Sequence, residues 1–430
     1  MLEIIEKEND IEQFFDVLNK RSNMTKNSKF VETVSQICDD VLNNGDDALV
    51  NYTKKFDDPN FELKDIEVSK EEIKKAYLSV DKNIIRILEE AYDRIYKFHL
   101  TQVRKDYSIK DEYGTIMGVR YTPIESVGVY VPGGKAAYPS TVLMNVVPAK
   151  VAGCENITMV TPATKGVLNP IVLACAYIAK VDHVYRIGGA QAIAALAYGT
   201  KTIKKVNKIV GPGNIFVALA KREVYGSVGI DSIAGPSEVC MICDETVNPK
   251  YAAADLLAQA EHDEMASATC FITSKEKAEE ILKYVNEFYN TAARKDILTK
   301  SLNNCSKIVV VKDINKAIDY VNRLAPEHLE IDTKDPMDIM AKIKNAGSVF
   351  LGTYSAESFG DYMMGPNHVL PTSGTAKYFS ALGVDDFIKR STFQYTTKEG
   401  AKALSNDVND FATLEGLTMH ALSAKLRGEE

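Results

Sequence analysis

The sequence predicts an α/β fold built on two open, parallel β-sheets. Short β-rich runs alternate with helical runs from about residue 115 onward, and glycine-rich turns end several of the β-rich runs. The same alternation then occurs a second time farther along the chain. Strands that alternate with helices in this way form parallel sheets covered by helices on both faces. We therefore expect two similar sheet domains.

The first set of alternating elements lies between residues 125 and 224. Its predicted strands are 125–134, 156–161, 183–189 and 206–214, and its predicted helices lie near 139–153, 168–180, 190–199 and 214–224. The second set is predicted to have strands at 238–244, 269–274, 307–311 and 348–352, with helices near 249–264, 275–289 and 314–324. Each set thus supplies four strands to one sheet.

Both ends of the chain have helical patterns. Between residues 84 and 98, apolar side chains recur every three or four positions, which is typical of an amphipathic helix. After about residue 380 the chain becomes polar and helical again. The predicted architecture is therefore two incomplete Rossmann-like open-sheet domains with small helical N- and C-terminal extensions.

Composition excludes several classes of function. The chain of 430 residues carries 51 Lys and Arg against 59 Asp and Glu, a net charge of −8, which argues against a general nucleic-acid binder. We find no apolar run of the roughly 20 residues that cross a membrane, and the acidic start lacks the basic region of a signal peptide. Seven scattered Cys fit reduced thiols in the cytoplasm.

Three glycine turns follow strands of the first predicted sheet: Gly133-Gly134, Gly188-Gly189 and 211–214. None forms a complete G-x-G-x-x-G motif followed by an acidic residue, so the dinucleotide fingerprint is weak. Ligands nevertheless bind at the carboxyl ends of strands in such sheets. The side chains at these turns that can bond a ribose or phosphate are Tyr130, Gln191 and Asn214. The alternative is that these glycines only permit tight turns.

A helix predicted to start at Asn248 and Pro249 carries Gln259 and His262. These two side chains are three residues apart and so share one helical face. Together they can hold a metal or a polar substrate, although the spacing alone also fits an ordinary capped or surface pair.

The stretch LAPEHLE places two proton acceptors side by side. Pro326 is predicted to interrupt the preceding helix and to push Ala325 into an extended conformation, which leaves Glu327 and His328 adjacent on a turn. A carboxylate and an imidazole differ in basicity and suit two different proton transfers. A loop salt pair is the alternative.

Two further segments carry candidate ligands. In the irregular loop predicted at 358–374, Asp361 is a potential metal ligand, and His368 competes for the same role; an Asx-turn is the alternative for Asp361. In the tail, a helix break at Gly416 can bring Glu415 and His420 toward one site, although a surface position is the alternative.

Two smaller motifs complete the candidates. Ser237 follows a Gly-Pro turn and can bond a ligand, but no base lies next to it to make it a nucleophile. Cys240 and Cys243 fall within a predicted strand, so they are expected to point to opposite faces.

Eight stretches resemble, in the same order, those of the histidinol dehydrogenase family. They lie within residues 119–425 and read YVPGGKAAYPSTVLMNVVPAKVAG, RIGGAQAIAALAYGT, VGPGN, DSIAGPSEV, AQAEHD, LAPEHLE, GPNHVLPT and EGLTMHA. The resemblance implies a cytoplasmic enzyme that needs zinc, one ion per subunit, and NAD. It would oxidise L-histidinol through L-histidinal to L-histidine, the last steps of histidine biosynthesis.

The resemblance also implies a role for each candidate residue. The zinc ligands would be Gln259, His262, Asp361 and His420. The proton acceptors would be Glu327 and His328. Substrate would be held by the zinc ligands together with Ser237, His328 and Glu415. NAD would be bound by Tyr130, Gln191 and Asn214.

The family is a homodimer, so the tail would complete the site of the partner. The implied domains are an N-terminal helical extension (1–25), a first α/β domain on the zinc and substrate side (26–128 plus 239–381), a second α/β domain on the NAD side (129–238) and a C-terminal helical dimerisation tail (382–430).

Other functions stay open from the residues alone. The nearest is a related NAD-dependent dehydrogenase that acts on another small amino alcohol. A zinc hydrolase would use the same ligands, with Glu327 activating water. A non-catalytic ligand-binding protein of the same fold is a third possibility. Formation of NADH that depends on the substrate separates these classes.

Overall fold

The computed structural model describes residues 2–21, 28–133, 138–163 and 166–429, and it has the predicted α/β fold. Gly134, in the first predicted glycine turn, lies outside the described residues. The strands are β1 (Glu3–Ile5), β2 (Tyr107–Lys110), β3 (Ile116–Pro123), β4 (Ser126–Tyr130), β5 (Asn156–Val160), β6 (His183–Tyr185), β7 (Lys208–Val210), β8 (Gly229–Ile230), β9 (Glu238–Cys243), β10 (Ser267–Ile272), β11 (Lys307–Val310), β12 (His328–Asp332), β13 (Ser348–Leu351) and β14 (Ile388–Tyr395).

The helices cover the sheets and form the tail. They are α1 (Glu8–Arg21), α2 (Ser28–Asn44), α3 (Asp46–Phe56), α4 (Lys70–Ser79), α5 (Lys82–Leu100), α6 (Pro139–Ala152), α7 (Pro170–Ile178), α8 (Gly189–Tyr198), α9 (Ile215–Val224), α10 (Pro249–Ala260), α11 (Lys275–Tyr289), α12 (Lys295–Asn304), α13 (Ile314–Leu324), α14 (Pro336–Met340), α15 (Glu357–Tyr362), α16 (Lys398–Leu414) and α17 (Thr418–Glu429). No helix among the described residues is long and apolar enough to cross a membrane.

One sheet has six parallel strands in the order β1-β11-β10-β9-β12-β13. The sequence predicts four of them, and it misses β1 and β12. Strand β12 lies between β9 and β13, and all five of its residues are buried. Its sequence, HLEID, reads as polar because three of its letters are ionisable. Pairing on both sides and burial on both faces nevertheless make it an interior strand.

The faces of β9 agree with the expected alternation. Cys240 packs in a cluster with Phe271 and Leu329, whereas Cys243 packs in a second cluster with Leu256 and other residues. These two clusters cover the two faces of the six-stranded sheet. All seven cysteines are buried free thiols, which agrees with the expectation that they are reduced.

The other parallel sheet has five strands in the order β6-β5-β4-β7-β8. Strand β6 is shorter than predicted because the chain leaves the sheet after Tyr185 and helix α8 starts at Gly189. Gly188 packs against Pro162 so closely that a Cβ atom there would lie 2.5 Å from that ring. This glycine therefore allows two strand-end loops to approach one another.

The packing of the first hundred residues differs from the predicted domain division. The predicted division groups residues 26–128 with 239–381, but helices α2 to α5 pack against α6 to α9, the helices of the five-stranded sheet. Ile37 and Leu49 share a cluster with Ile193, and Ile95 shares another with Val129. The apolar faces of these helices are buried in these two clusters. The N-terminal extension instead adds strand β1 to the six-stranded sheet, beside β11.

A small antiparallel sheet, in the order β14-β3-β2, connects the tail to the rest of the chain. The sequence predicts only helix in the tail, but residues 388–395 form a strand that pairs with β3 along its whole length. Helices α16 and α17 follow, separated at Gly416, which has a φ of +75°. The predicted helix break is therefore confirmed.

Candidate active site

The predicted chemical residues lie at the amino-terminal edge of the six-stranded sheet. Glu238, His328 and Ser348 are the first residues of β9, β12 and β13, and these strands are parallel. A cavity of about 460 Å³ lies beside His328 and is lined by Asp361, His368 and several apolar side chains. Ligands of open α/β sheets commonly bind at the carboxyl ends of strands. In this protein the candidate site lies instead at the amino-terminal edge of the six-stranded sheet.

The backbone before the proton acceptors differs from the prediction. Ala325 is not extended before Pro326 but left-handed, with φ 53° and ψ 62°. Its N–H donates to the oxygen of Val321 at 2.7 Å, which caps the end of α13. This cap bond outweighs the usual preference of a residue before proline. Glu327 then precedes β12 directly, and His328 begins the strand instead of lying on a turn.

His328 has the arrangement of a neutral base. Its side chain is almost fully buried, and its Nδ1 lies 3.0 Å from the backbone oxygen of Glu238. Because a carbonyl only accepts, Nδ1 carries the proton and Nε2 keeps a lone pair. Nε2 is buried without a hydrogen-bond partner among the described residues. Burial lowers the pKa of His328 to about 3, so the ring is neutral at ordinary pH.

Glu327 is held by the same residue of β9 as His328. Its Oε2 accepts from the N–H of Glu238 at 2.9 Å. Burial raises the pKa of Glu327 well above its ordinary value. Its backbone oxygen accepts from Ser348 N–H, and Gly347 packs so tightly that a Cβ there would lie 2.6 Å from that oxygen. Both proton acceptors are therefore fixed to the edge of the sheet.

A cluster of metal-ligating side chains lies next to His328. Single atoms of His262, Glu357 and Asp361 all lie within 4.8 Å of one another. His328 Nε2 is 3.9 Å from Asp361 Oδ1. With its amide oriented to satisfy its neighbours, Gln259 donates to Glu357 at 2.6 and 2.9 Å. The predicted neighbours Gln259, His262 and Asp361 are therefore brought together.

Burial dominates the electrostatics of this cluster. It raises the pKa of Asp361 to about 7 and that of Glu357 well above its ordinary value. Desolvation by its neighbours lowers the pKa of His262, which is exposed at the edge of the cluster, and burial lowers that of His368 to about 4. His368 Nδ1 lies 3.1 Å from the backbone oxygen of Asp361, so His368 supports helix α15 from beside the cavity. Closely spaced acids and neutral imidazoles are ligands suited to a divalent cation.

The N-terminal helix reaches the back of this site. The guanidinium of Arg21 forms a buried ion pair with the carboxylate of Glu238, and its Nη1 donates to Met265 O at 2.7 Å. The side chains of Arg21 and Glu238 are only 1% and 5% exposed. The pair joins helix α1 to the first residue of β9, more than two hundred positions away in sequence.

The three residues expected to bind a dinucleotide lie at the carboxyl edge of the five-stranded sheet. The hydroxyl of Tyr130, at the end of β4, accepts from Gly189 N–H at 3.1 Å. Asn214 caps helix α9, with its Oδ1 accepting from Phe216 and Val217 N–H groups. Gln191 is 1% exposed, and its Nε2 has no partner in the part of the chain that the structure describes.

The remaining candidates are not part of this cluster within one chain. Glu415 and His420 are exposed on the tail, and the metal-ligating group found among the described residues contains neither. Ser237 is half-buried and directly precedes Glu238, and its backbone oxygen accepts from Ser267 N–H at 3.0 Å.

Sequence patterns do not reveal three residues that contribute to the site: Glu357, Glu238 and Arg21. Glu357 precedes the predicted loop by one position, but it and Asp361 lie one turn apart on helix α15. Their spacing of four residues was the available signal. Glu238 and Arg21 carried no local signal, because they meet only through the tertiary fold.

The fold and the site together define an α/β enzyme with a buried neutral base beside a cluster of metal-ligating side chains. Residues 19–428 match the family described as Histidinol dehydrogenase. The chain therefore belongs to the histidinol dehydrogenase family, which comprises NAD-dependent oxidoreductases of histidine biosynthesis.

Individual relatives are similar over almost the entire chain. A histidinol dehydrogenase of Clostridium acetobutylicum is 51% identical over 97% of this chain and 96% of its own length. One from Bacillus thuringiensis subsp. konkukian is 50% identical over 97% and 99%. The crystal structure of histidinol dehydrogenase from Elizabethkingia anophelis superposes with a TM-score of 0.88 at 40% identity, covering 92% of this chain and 91% of that one.

Proposed function

We propose that this chain uses zinc and NAD to oxidise L-histidinol twice, through L-histidinal, to L-histidine. The observation that carries the proposal is the lone pair on His328 Nε2, which no described residue engages and which lies 3.9 Å from Asp361. A neutral base beside ligands for a cation suits removal of a proton from a bound alcohol. Family membership supports the substrate, because the relatives carry its name.

His328 and Glu327 take the two different proton-transfer roles. His328 accepts the alcohol proton at Nε2 in the first oxidation, since its Nδ1 is held by Glu238 O. Glu327 takes a proton from the water that attacks the aldehyde. Its raised pKa, caused by burial, makes it a stronger base than an exposed carboxylate. The backbone N–H and C=O of Glu238 hold Glu327 and His328, respectively.

Gln259, His262 and Asp361 are the zinc ligands that one chain contributes, and His420 of the partner subunit completes the set. Imidazole and carboxylate groups are common zinc ligands, and buried acids with raised pKa values gain from a nearby cation. When bound, zinc orients the substrate through its imidazole and amine. One ion per subunit satisfies this ligand set.

NAD binds at the carboxyl edge of the five-stranded sheet, where it supplies the hydride acceptor. Tyr130, Gln191 and Asn214 lie at this edge, and the amide nitrogen of Gln191 is free of described partners. Ligands of open α/β sheets commonly bind at the carboxyl ends of the strands, which supports this placement.

The tail makes the protein a homodimer and completes the neighbouring site. Phe411, Leu414 and Met419 are 67%, 84% and 68% exposed on helices α16 and α17, an apolar surface that favours burial against a second copy. Glu415 and His420 lie on the same tail. Together with Ser237, Glu415 holds the substrate. The buried free cysteines support a reducing cytoplasmic location.

The activity is tested with zinc-loaded protein, L-histidinol and NAD. We expect about two NADH per histidinol and formation of histidine, because two oxidations release two hydrides. Glu327→Gln and His328→Asn should abolish turnover while zinc content is retained. Absence of substrate-dependent NADH would reject the dehydrogenase and leave the hydrolase to be tested by product analysis.

The crossed tail is tested by mixing inactive variants. Glu327→Gln with His420→Ala should recover about a quarter of full activity in a two-fold symmetric dimer, because half the dimers are mixed and each of these has one intact site. The matched control is Glu327→Gln with His328→Asn, whose defects both lie in the body of the chain. Equal recovery in both mixtures would argue against a shared site.

A further inference from the structure

We infer that Arg21, in the N-terminal helix α1, is a positioning residue that holds both proton acceptors in place through Glu238. The inference rests on the proposed roles of Glu327 and His328. Arg21 touches neither of them. It pairs with the side chain of Glu238, and the backbone of Glu238 contacts both acceptors.

One peptide segment orients the two acceptors. The N–H of Glu238 donates to Glu327 Oε2 at 2.9 Å, and its carbonyl oxygen lies 3.0 Å from His328 Nδ1. A displacement of residue 238 therefore moves a carboxylate and an imidazole at the same time. Misplacement of reacting groups by about 1 Å costs on the order of 100-fold in rate.

Backbone pairing alone anchors this residue incompletely. Glu238 pairs with Ser267 of β10 on one side, but on the other side the register with β12 begins only at Val239, opposite His328. Two side chains add anchors to this residue: Gln259 accepts from the N–H of Glu238 at 3.1 Å, and Arg21 pairs with its carboxylate. Arg21 is in turn fixed by its bond to Met265 O, just before β10.

Arg21 also places a positive charge beside the buried acids of the site. Within the described ranges, Arg21 is the only Lys or Arg that forms an ion pair with any of the buried acids Glu238, Glu327, Glu357 and Asp361. The charge of the Glu238 side chain is therefore compensated by Arg21. The backbone N–H and C=O of Glu238 contact Glu327 and His328.

A structural role can be separated from a positioning role by replacing both partners. A buried ion pair exchanged for apolar side chains of similar size often keeps its stability, whereas loss of one partner leaves an unpaired buried charge. We therefore compare Arg21→Met, Glu238→Met and the double variant with Arg21→Lys, which keeps the charge but loses the two-pronged geometry.

We expect Arg21→Met to lower kcat by about 100-fold with KM for histidinol changed less than about threefold, since positioning and not binding is lost. Arg21→Lys should recover activity to within about 10-fold of the original. The double variant should regain the urea midpoint but stay at least about 10-fold low in kcat. Zinc content, measured on every variant, should be unchanged.

The matched control uses the same helix. Arg323 holds α1 through Glu12, with bonds of 2.5 and 2.6 Å, and its guanidinium lies 4.4 Å from the centre of the Phe15 ring. Arg323→Met should leave kcat within about twofold, because the contacts of Arg323 with Glu12 and Phe15 hold α1 but involve neither Glu238 nor the two acceptors. An equal loss in this variant would mean that docking of α1 alone matters.

A spectroscopic readout follows the acceptor directly. In protein labelled with ¹⁵N-histidine, the signals absent from His328→Asn assign His328, and its Nδ1 should carry the proton. Arg21→Met should shift or broaden this Nδ1–H signal, whereas Arg323→Met should not.

The outcomes distinguish this inference from the proposed function. If the double variant regains full kcat together with its stability, or if the His328 signal is unchanged in Arg21→Met, the positioning role is rejected. If Arg21→Met does not fold, Arg21→Lys and the double variant provide the same decision. Full turnover in His328→Asn would instead overturn the acceptor assignment itself.

Discussion

Replacing His328 with Asn should remove a large pH dependence of stability. In the folded chain the imidazole is neutral because burial lowers its pKa to about 3, whereas an unfolded His titrates near 6.5. Lowering the pH therefore protonates the unfolded state first, and stability from this group is lost from near pH 6.5 downward. At about pH 5 the loss is RT ln(1 + 10^1.5), or about 2 kcal/mol, against almost nothing at about pH 7.5.

The assay is urea unfolding of chelator-treated protein at these two pH values, since bound metal would add its own coupling to protons. Asn can still donate to the backbone oxygen of Glu238 from near the position of Nδ1, so the main lost feature is the titrating Nε2. The stability difference between the original and His328→Asn should change by about 2 kcal/mol between the two conditions. Identical pH dependence in both proteins would refute a buried neutral imidazole.

Other consequences are open to equally direct measurement. Gly347→Ala would put a Cβ 2.6 Å from the backbone oxygen of Glu327, so kcat should fall by about 10-fold or more. The control Gly229→Ala, whose Cβ would have its nearest neighbour at 3.4 Å, should keep full activity. Similar rates in the two variants would exclude tight packing at Glu327. Asn248→Ala removes the side chain that caps helix α10, and thermal unfolding should report a loss of about 1 kcal/mol, with an unchanged melting temperature counting against the cap. Chelation should abolish NADH formation and added zinc should restore it, while activity that survives complete removal of the metal would reject the zinc requirement.

The sequence predicts those parts of the fold whose side chains agree with their environment. Strands β9 and β10 are mostly apolar and fully buried, so pattern and burial coincide. Strand β12 is interior too, but Glu330 and Asp332 give it a polar appearance. Burial raises the pKa of Glu330 to about 8, and its Oε1 accepts from Glu357 N–H at 2.7 Å. Such compensation is tertiary and leaves no periodic signal.

The same limit applies to the candidate site. The sequence predicts Gln259 and His262 as neighbours on one helix, but α10 ends at Ala260 and His262 lies in the turn that follows. The two residues are still close, because the N–H of His262 donates to the backbone oxygen of Gln259 at 3.2 Å. The sequence does not reveal Glu357, because residues 358–374 have the composition of a loop. The four-residue spacing between Glu357 and Asp361 therefore does not indicate a shared helical face. The ion pair of Arg21 with Glu238 depends on which strand follows which helix in space. Residues that act through distant partners are invisible to local patterns.

The two proposed proton acceptors lie at the start of β12 or directly before it, whereas the proposed substrate contact Glu415 lies on the tail. The distance from His328 to Glu238 is set by the β9–β12 register, and a slip of one residue would turn the imidazole to the other face of the sheet. Directed evolution toward a different amino alcohol should therefore vary the residues of helix α15 and the tail other than Asp361 and His420. Libraries built on the strand starts would mostly yield inactive protein.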